Sequence, residues 1–288
     1  MQYSVIIPCF NAAHTIGNQL DALYHQCLSD DWEIIVSDNG CTDETLSIVE
    51  SFSDKLPKLR VINASFRRGP SYARNEGAKA AKGDALIFID ADDVIDNWFM
   101  QVMAVALLKY DFVAPRMEYE KLSSPRALAL KGTHRQRDGL IEYNYVPFLP
   151  YAGTSGLGIK RWVHESVGGF DESLIACEDC DYGWRVQLGG VSLHFEKNAI
   201  IHVRHKDLAS GAFRQARVWG QSHALLIKKF RSMGMPKLPV SEGLKLWLRL
   251  LWHLPVFCTQ AYRDQWLWNF CYRFGQLLGC IRYRILAL

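Results

Sequence analysis

Three aspartates, Asp90, Asp92 and Asp93, stand close together directly after the apolar run of residues 85–89. Continuous apolar runs are typical of strands that are covered on both faces of a sheet. Carboxylates this close repel one another and resist burial, so a bound cation would stabilise the cluster. Carboxylate oxygens at this density suit Mg2+ or Mn2+. The alternative is a solvated, Asp-rich turn that caps the helix starting near Asp96.

The segments around this cluster alternate between short apolar runs and helical patterns. The runs predict strands at residues 3–7, 33–36, 59–62 and 85–89, and the helical patterns predict helices at residues 12–27, 42–52, 71–81 and 97–108. This alternation is typical of βαβ units, which form a parallel sheet with helices on its faces. Ligands of such sheets bind beyond the carboxyl ends of the strands, so the polar residues that follow each strand are the candidates for a site.

The second half of the chain has a weaker pattern, and residues 111–145 show no clear period. The expected elements are a short helix after residue 160, a half-buried helix that ends at residues 189–190, a strand pair at residues 192–195 and 199–203, and a long helix at residues 213–231. Prolines at positions 236 and 239 then interrupt the pattern. We therefore predict a main domain of residues 1–235 and a helical segment of residues 236–288.

Composition narrows the classes of function. The chain has 288 residues, of which 49% are hydrophobic and 22% are charged, as in ordinary globular proteins. Its formal charge of +3 is too small to indicate nucleic-acid binding, and no nucleic-acid-binding motif occurs. The eight cysteines have no repeating spacing, which favours reduced thiols. Neither a secretory signal nor a membrane-spanning stretch is found, so a cytoplasmic location is expected.

Five pieces of the sequence, taken in order, resemble the family 2 glycosyltransferases of the GT-A fold. These pieces are SVIIPCFNAA, IIVSDNGCTD, GPSYARNEGAKAAKGDALIFIDADD, GGFDE and EDCDYGWRVQLGG, and the likeness runs from Ser4 to about Arg231. The resemblance implies an α/β fold with a Rossmann-like, mostly parallel sheet flanked by helices. It also implies transfer of a sugar from a nucleotide-diphosphate sugar to an acceptor hydroxyl, with inversion and with Mn2+ or Mg2+ as cofactor.

The aspartate cluster is the metal site that the resemblance implies. Asp92 is expected to bind the metal directly, Asp90 to face the ribose or the metal, and Asp93 to support them from behind. Alternation along an extended chain places Asp90 and Asp92 on the same side, which suits joint use. A metal bound there would stabilise the charge that develops on the leaving diphosphate.

The nucleotide is expected to lie over the ends of the first strands. The residues expected to contact it are Pro8, Phe10, Asn11, Asp38, Asn39 and Arg74, with Asn75 beside them, whereas Arg67 and Arg68 are expected in a solvated loop. Family members have two acidic residues at the end of the second strand, but here Asp38 is followed by Asn39. Because an amide offers a donor that a carboxylate lacks, this departure leaves the base of the nucleotide open, with a UDP-sugar favoured.

A second acidic pair, Glu178 and Asp179, resembles the E-D motif of the family, in which the aspartate removes the proton of the acceptor hydroxyl. We predict Asp179 as this base and Glu178 as an acceptor or scaffold contact. The alternative is an acid-rich N-terminus of a helix. Trp184 and Arg185 complete the motif and are predicted acceptor contacts, with an ordinary core position as the alternative for Trp184.

Two histidines, His202 and His205, follow a predicted strand. In the family, a histidine in this region can complete the metal shell, and imidazole suits Mn2+ better than Mg2+. Spacing does not choose between the two. His202 fits the end of the strand, whereas His205 fits a loop that closes over the diphosphate together with Arg204. A histidine that binds no metal is the alternative for either of them.

The C-terminal segment has an amphipathic pattern. Leu244, Trp247, Leu248 and Leu251 recur at helical spacing, and the residues after position 240 include six Arg or Lys against two acidic residues. Aromatic and basic residues on amphipathic helices favour peripheral contact with an anionic membrane surface. The alternative is packing on the main domain or on a second subunit.

Two other functions compete with glycosyl transfer. A sugar-nucleotide nucleotidyltransferase also uses an α/β sheet and metal-binding aspartates, but the Gly-rich loop with Arg and Lys that follows its first strand is replaced here by PCFNAAHT. A non-catalytic nucleotide-binding protein is disfavoured because both acidic groups are present. A glycosyltransferase of polysaccharide, cell-wall or glycolipid biosynthesis, with a saccharide or lipid-linked acceptor, is the predicted function.

Overall fold

The computed structural model describes residues 1–28, 31–143, 148–205, 209–237, 239–254 and 259–285. Within these ranges the strands are β1 (Tyr3–Cys9), β2 (Trp32–Asp38), β3 (Leu59–Asn63), β4 (Ala85–Phe88), β5 (Val94–Ile95), β6 (Phe112–Glu118), β7 (Leu157–Lys160) and β8 (His194–His202). The helices are α1 (Ile16–Tyr24), α2 (Thr45–Glu50), α3 (Pro70–Ala80), α4 (Phe99–Lys109), α5 (Pro125–Lys131), α6 (Arg161–Ser166), α7 (Glu178–Leu188), α8 (Ala209–Phe230), α9 (Val240–Trp252) and α10 (Gln260–Tyr283).

The eight described strands form one sheet in the order β3-β2-β1-β4-β7-β6-β8-β5. β1 pairs in parallel with β2 and β4, and β2 pairs in parallel with β3. β7 is antiparallel to its neighbours β4 and β6, whereas β8 is parallel to β6. The prediction of an α/β fold with a mostly parallel sheet and flanking helices is therefore confirmed.

The predicted pair of strands between residues 192 and 203 is wrong. The chain forms the single strand β8 there, and its pairing with β6 shifts register between Pro115 and Arg116. The residues between the two predicted strands, Glu196 to Asn198, lie at this irregularity. A bulge of this kind bends a strand without ending it, which explains the error.

Both faces of the central strands are buried, which accounts for their continuous apolar runs. On one face Val5 and Ile7 pack with residues of α1 and α4. On the other face Ile6 and Phe88 pack with residues of α3, α6 and α7. A fully buried side chain of this size contributes about 1.5–3 kcal/mol relative to an exposed one, so burial of both faces of the sheet stabilises the fold.

The last helix, α10, packs directly on α8. A Cβ atom added at Gly220 of α8 would lie 2.0 Å from the Tyr272 carbonyl oxygen, and one added at Gly275 of α10 would lie 2.0 Å from the Arg217 carbonyl oxygen. This close approach requires glycine in both helices. Packing on the main domain, one of the alternatives for the C-terminal segment, is thus observed for α10, whereas the boundary between residues 235 and 236 stays a prediction.

Candidate functional site

A cavity of about 1680 Å³ lies at the carboxyl ends of β1, β2 and β4 and continues to α9 and α10. Its lining includes the ends of these strands and the first turn of α7. The structure therefore brings together most of the residues that the sequence singled out for chemistry: Pro8, Phe10, Asn11, Asn39, Arg74, Asp90, Asp92, Asp93, Glu178, Asp179 and His205.

The aspartate cluster offers three carboxylates at one point of this cavity. Oxygen atoms of Asp90, Asp92 and Asp93 lie within 4.8 Å of one another. Asp93 is buried, and its Oδ1 accepts the Arg204 backbone N–H at 2.9 Å. Burial, together with the charges of Asp92 and Asp90, raises the pKa of Asp93 well above its usual range. The three carboxylates repel one another, and their oxygens are hard ligands. The cluster therefore fits a divalent cation such as Mn2+ or Mg2+.

Arg74 connects this cluster to the second acidic pair. The side chain is only 3% exposed, with Nη2 2.7 Å from Asp90 Oδ1 and Nη1 3.1 Å from Glu178 Oε1. Burial disfavours the charged guanidinium, but Asp90 and Glu178 outweigh burial and raise the pKa of Arg74 above its ordinary value. Arg74 therefore stays charged and fixes the two carboxylates on either side of it.

Asn75, the next residue of α3, is not among the described residues that line the cavity. The expectation that Asn75 faces the nucleotide is therefore corrected. Its Nδ2 donates to the Phe170 carbonyl oxygen and to Glu172 Oε1, both at 2.9 Å, and its Oδ1 accepts the Phe170 N–H. A Cβ at Gly169 would lie 2.7 Å from Asn75 Oδ1, and Gly169 has a φ of +72°. The GGFDE piece is thus a turn that the Asn75 amide holds.

An exposed aromatic ring follows β1 at the cavity wall. Phe10 is 49% exposed, and the Arg68 guanidinium carbon lies 4.3 Å from the centre of its ring. Asn11 has a left-handed backbone with a φ of 49°, and its Oδ1 accepts the Thr42 N–H at 2.8 Å. Arg68 lies in an exposed loop, as expected, and its side chain also lines the cavity.

The departure from the family pattern at Asn39 has a structural explanation. Its Nδ2 donates to the carbonyl oxygens of Ala64 at 2.5 Å and Arg67 at 2.8 Å, and its Oδ1 accepts the Gly69 N–H. A carboxylate could not make the first two bonds, because it has no donor when ionised. Asn39 thereby holds the loop that carries Arg68. Its neighbour Asp38 accepts the Gly40 and Cys41 N–H groups, and its contact with a nucleotide stays a prediction.

The second acidic pair occupies the first turn of α7. Cys177 precedes it with a φ of 62°, a conformation that costs a residue other than glycine about 1–3 kcal/mol and that is frequent at functional sites. Burial and the charge of Glu178 raise the pKa of Asp179 to about 6, and the charge of Arg135 opposes this rise. A carboxylate with a pKa near neutral is well suited to accept a proton from a hydroxyl.

Arg135 is a site residue that sequence reasoning missed, because it lies in the segment without a readable period. Its Nη2 donates to Tyr151 Oη at 2.9 Å, and its guanidinium carbon lies 5.4 Å from the centre of the Trp219 ring. It lines the cavity and carries a positive charge next to Asp179. Arg135 can be recognised as a site residue only from its contacts with Tyr151 and Trp219, which come from other segments of the chain.

The two histidines lie in different surroundings. His205 lines the cavity, its ring stacks on Tyr119 at 4.4 Å, and burial lowers its pKa to about 4. His202 lies between Asp96 and Glu118, with ring nitrogens 3.9 and 4.0 Å from their carboxylate oxygens. Within the described residues, the candidate metal group contains the three aspartates and neither histidine. Metal binding by a histidine stays a prediction.

Trp184 and Arg185 do not have the acceptor-contacting positions expected for them. Trp184 is 0% exposed, and its Nε1 donates to the Leu149 carbonyl oxygen at 2.8 Å. Arg185 donates from Nε to Asp181 Oδ2 at 2.7 Å and from its other nitrogens to the carbonyl oxygens of Val167 and Gly169. A wholly buried ring has no face for a sugar, and the Arg185 guanidinium fixes the turn before α7, so both expectations are corrected.

The sheet, with the aspartate cluster after β4 and the acidic pair at the start of α7 in one cavity, has the architecture of the GT-A fold. Residues 4–148 match the sequence profile of the family described as "Glycosyl transferase family 2". The match covers half of the chain, and the chain belongs to this family.

Two curated relatives align with part of the chain. It is 36% identical over 99 residues to the poly(ribitol-phosphate) beta-glucosyltransferase of Bacillus spizizenii, covering 34% of this chain and 16% of that protein. It is 33% identical over 91 residues to the UDP-Glc:alpha-D-GlcNAc-diphosphoundecaprenol beta-1,3-glucosyltransferase WfgD of Escherichia coli, covering 32% of this chain and 37% of that protein. The alignments thus span well under two thirds of these relatives.

Among solved structures, the mannosyltransferase PcManGT of Pyrobaculum calidifontis, in complex with GDP-Man and Mn2+, superposes with a TM-score of 0.67. The superposition covers 96% of this chain and 86% of that protein, at 19% sequence identity. At this identity the likeness shows that the two chains share a fold.

Proposed function

We propose that the protein is an inverting glycosyltransferase that moves a sugar from a nucleotide-diphosphate sugar to an acceptor hydroxyl. One observation carries this proposal: a single cavity contains the aspartate cluster and Asp179, and Arg74 links the cluster to the residue beside that base. Direct displacement needs stabilisation of a leaving diphosphate and a base for the incoming hydroxyl. The two acidic groups are suited to these two tasks.

Each group contributes differently to the reaction. Asp92, with Asp90 and Asp93, would hold Mn2+ or Mg2+, which neutralises developing charge on the diphosphate. Asp179 accepts the proton of the acceptor hydroxyl, and its raised pKa makes it a stronger base than an ordinary aspartate. Arg74 keeps Asp90 and Glu178 in fixed positions. A single base with direct attack gives a product of inverted configuration.

Donor and acceptor are proposed by class. A UDP-sugar is favoured, since WfgD is named for UDP-Glc, although the mannosyltransferase structure contains GDP-Man. The two relatives are named for acceptors of cell-surface chemistry, a poly(ribitol-phosphate) and a sugar diphosphoundecaprenol. We therefore favour a saccharide or lipid-linked acceptor of polysaccharide, cell-wall or glycolipid synthesis.

A panel of UDP-, GDP- and dTDP-sugars tests the donor proposal by thermal unfolding with Mn2+. A donor present at about a hundred times its Kd adds about 2.7 kcal/mol, which should raise Tm by roughly 4–5 °C for a chain of this size. The same donor with a chelator should give a much smaller rise. Absence of stabilisation and of hydrolysis for every donor would reject the proposal, and release of pyrophosphate from a nucleoside triphosphate and a sugar phosphate would favour a nucleotidyltransferase.

We also propose that α9 contacts an anionic membrane surface from one side. No helix within the described ranges has both the length and the apolar character needed to cross a bilayer. However, α9 exposes a row of apolar side chains, Val240, Leu244, Leu248, Leu251 and Trp252, the last of them 83% exposed. Lys245 and Arg249 lie on the same helix and match the charge of anionic lipids.

Substitution of the apolar row tests membrane contact without removing α10, whose loss would uncover α8. Leu248→Gln and Trp252→Gln should each lower binding to anionic liposomes by roughly 10-fold, because each removes a large apolar side chain from the interface. Co-sedimentation at low salt measures the effect, and Leu108→Gln, at an exposed leucine of α4, is the matched control. If the unmodified protein fails to co-sediment, the α9 face instead serves contact with a second copy of this chain, and analytical ultracentrifugation should then show an oligomer that the two variants weaken.

A further inference from the structure

The cavity continues beyond the strand ends, where the nucleotide is proposed to bind. The side chains that line this continuation are of a different kind. We use the name distal end for the part lined by residues in four described ranges, 130–143, 215–223, 246–253 and 262–273. Six large aromatic side chains line it: Tyr143, Trp219, Tyr262, Trp266, Trp268 and Tyr272. Pockets for one small molecule usually measure about 300–1,000 Å³, so a cavity of about 1680 Å³ has room for a second substrate.

The distal end is also positively charged. Its described lining includes four cationic side chains, Lys131, Arg135, Arg249 and Arg273, and one acidic side chain, Glu142. Three of these cations lie near aromatic rings. The Lys131 Nζ is 5.5 Å from the centre of the Trp268 ring, and the guanidinium carbons of Arg135 and Arg273 are 5.4 and 5.8 Å from the rings of Trp219 and Tyr272.

This charge is separate from the acidic groups that would handle the donor. The carboxylates of the aspartate cluster and of Glu178 and Asp179 line the cavity at the strand ends and at the start of α7, which are different elements from those that form the distal end. Arg135 marks where the two parts meet, since its charge acts on Asp179 while its side chain contacts Trp219. A molecule in the distal end can therefore present a hydroxyl to the proposed base.

We propose that the distal end is an acceptor subsite for a saccharide or alditol that carries phosphate or diphosphate, an inference that rests on the proposed glycosyl transfer. The aromatic rings provide faces for sugar rings, and guanidinium groups bind phosphate oxygens through paired N–H donors. Such an acceptor has two sources, a lipid-linked sugar diphosphate or a polymer of alditol phosphate. The shared requirement is the negatively charged phosphate.

The position of α9 links this subsite to the surface of the protein. Arg249 and Leu250 line the cavity, whereas Leu248 and Leu251 are exposed. The Trp266 Nε1 donates to the Leu250 carbonyl oxygen at 2.9 Å, which fixes α9 to α10. Arg249 is exposed, so its replacement can be made without disturbing the packing of the helix.

Binding to the full chain saturated with UDP and Mn2+ tests the subsite, because UDP then fills the donor end. The probes are an alkyl-linked glucosyl diphosphate, a ribitol phosphate oligomer and an alkyl glucoside without phosphate. At least one phosphate-bearing probe should bind about 10-fold or more tightly than the alkyl glucoside. Preference for the first indicates a lipid-linked source and preference for the second a polymer source. Equal binding of all three would overturn the proposal.

Charge variants on one helix separate a built subsite from general attraction of anions. Arg249→Gln should lower affinity for the preferred phosphate-bearing probe by about 10-fold and leave that for the alkyl glucoside unchanged. Lys245→Gln, four residues earlier, is the matched control, because Lys245 pairs with Glu242 and is not among the lining residues described. Arg273→Gln should reproduce the loss. If Lys245→Gln and Arg249→Gln have the same effect, the subsite is rejected, whereas failure of UDP itself to bind would reject the proposed function.

Discussion

Replacement of Asp179 by Asn is expected to reduce sugar transfer by about 10²-fold or more, the usual scale for a positioned base. Asn keeps nearly the same shape but cannot accept a proton at neutral pH. Asp179 is not one of the three aspartates of the candidate metal group, so binding of UDP and Mn2+ should remain nearly unchanged. Initial rates with a donor identified by the thermal panel, together with calorimetry of UDP binding, measure both quantities.

Glu178→Gln is the control for this variant, because it alters the adjacent carboxylate. If Glu178 only orients the acceptor or holds Arg74, this variant should chiefly raise the acceptor KM and reduce the rate less. The anomeric configuration of the product should be inverted. Wild-type rates from Asp179→Asn would remove the base assignment, and a product of retained configuration would contradict single displacement.

The pH dependence of transfer should follow the same residue. Because the pKa of Asp179 is about 6, transfer should rise with pH through this value and then level off. The contribution of Asp179 to the stability of the fold changes with pH in the opposite direction. The folded-state pKa exceeds the ordinary 3.8, so the stabilising contribution of protonated Asp179 is present below pH 4 and is lost as pH rises through 6. Asp179→Asn should therefore raise Tm at neutral pH, and this gain should vanish in acid.

The sequence predicted the first half of the fold well because its strands are simple. β1, β2 and β4 are buried on both faces and so appear as continuous apolar runs. β6 contains Pro115 and Arg116, and β7 is four residues long with Gly158 inside it, so neither forms a recognisable run. Their place in the sheet depends on pairing between segments that are far apart in the chain.

The same distinction holds for the candidate site: residues that are contiguous in sequence could be predicted, and residues placed by distant partners could not. The aspartate cluster and the Glu178–Asp179 pair are each contiguous in sequence, so their chemistry could be predicted locally. The position of Arg135 depends on Tyr151 and Trp219, and the use of the Asn39 amide depends on a loop more than twenty residues later. Trp184 was misassigned for the same reason, since Phe148 and Phe230, which cover its ring, come from other segments.

Replacement of Asp92 by Asn should weaken Mn2+-dependent binding of UDP by at least about 10–100-fold, since even supporting residues of metal sites have effects of this size. Without metal, the fold should not lose stability, because the change removes a negative charge that repels buried Asp93. Calorimetric titration of UDP at a series of Mn2+ concentrations measures the first effect, and thermal unfolding in chelator measures the second. Asp54→Asn, at an exposed aspartate, is the matched control.

The two readouts together distinguish a metal ligand from a structural residue. A ligand loses affinity that excess Mn2+ partly restores, while the metal-free protein is unchanged or more stable. A structural residue would lower Tm with or without metal, because its partners would lose their contacts in both conditions. Equal UDP affinity for Asp92→Asn and the unmodified protein across the whole Mn2+ series would show that the cluster does not hold the metal. The repulsion on Asp93 would then be relieved by another cation, such as Arg204, whose backbone N–H already contacts that carboxylate.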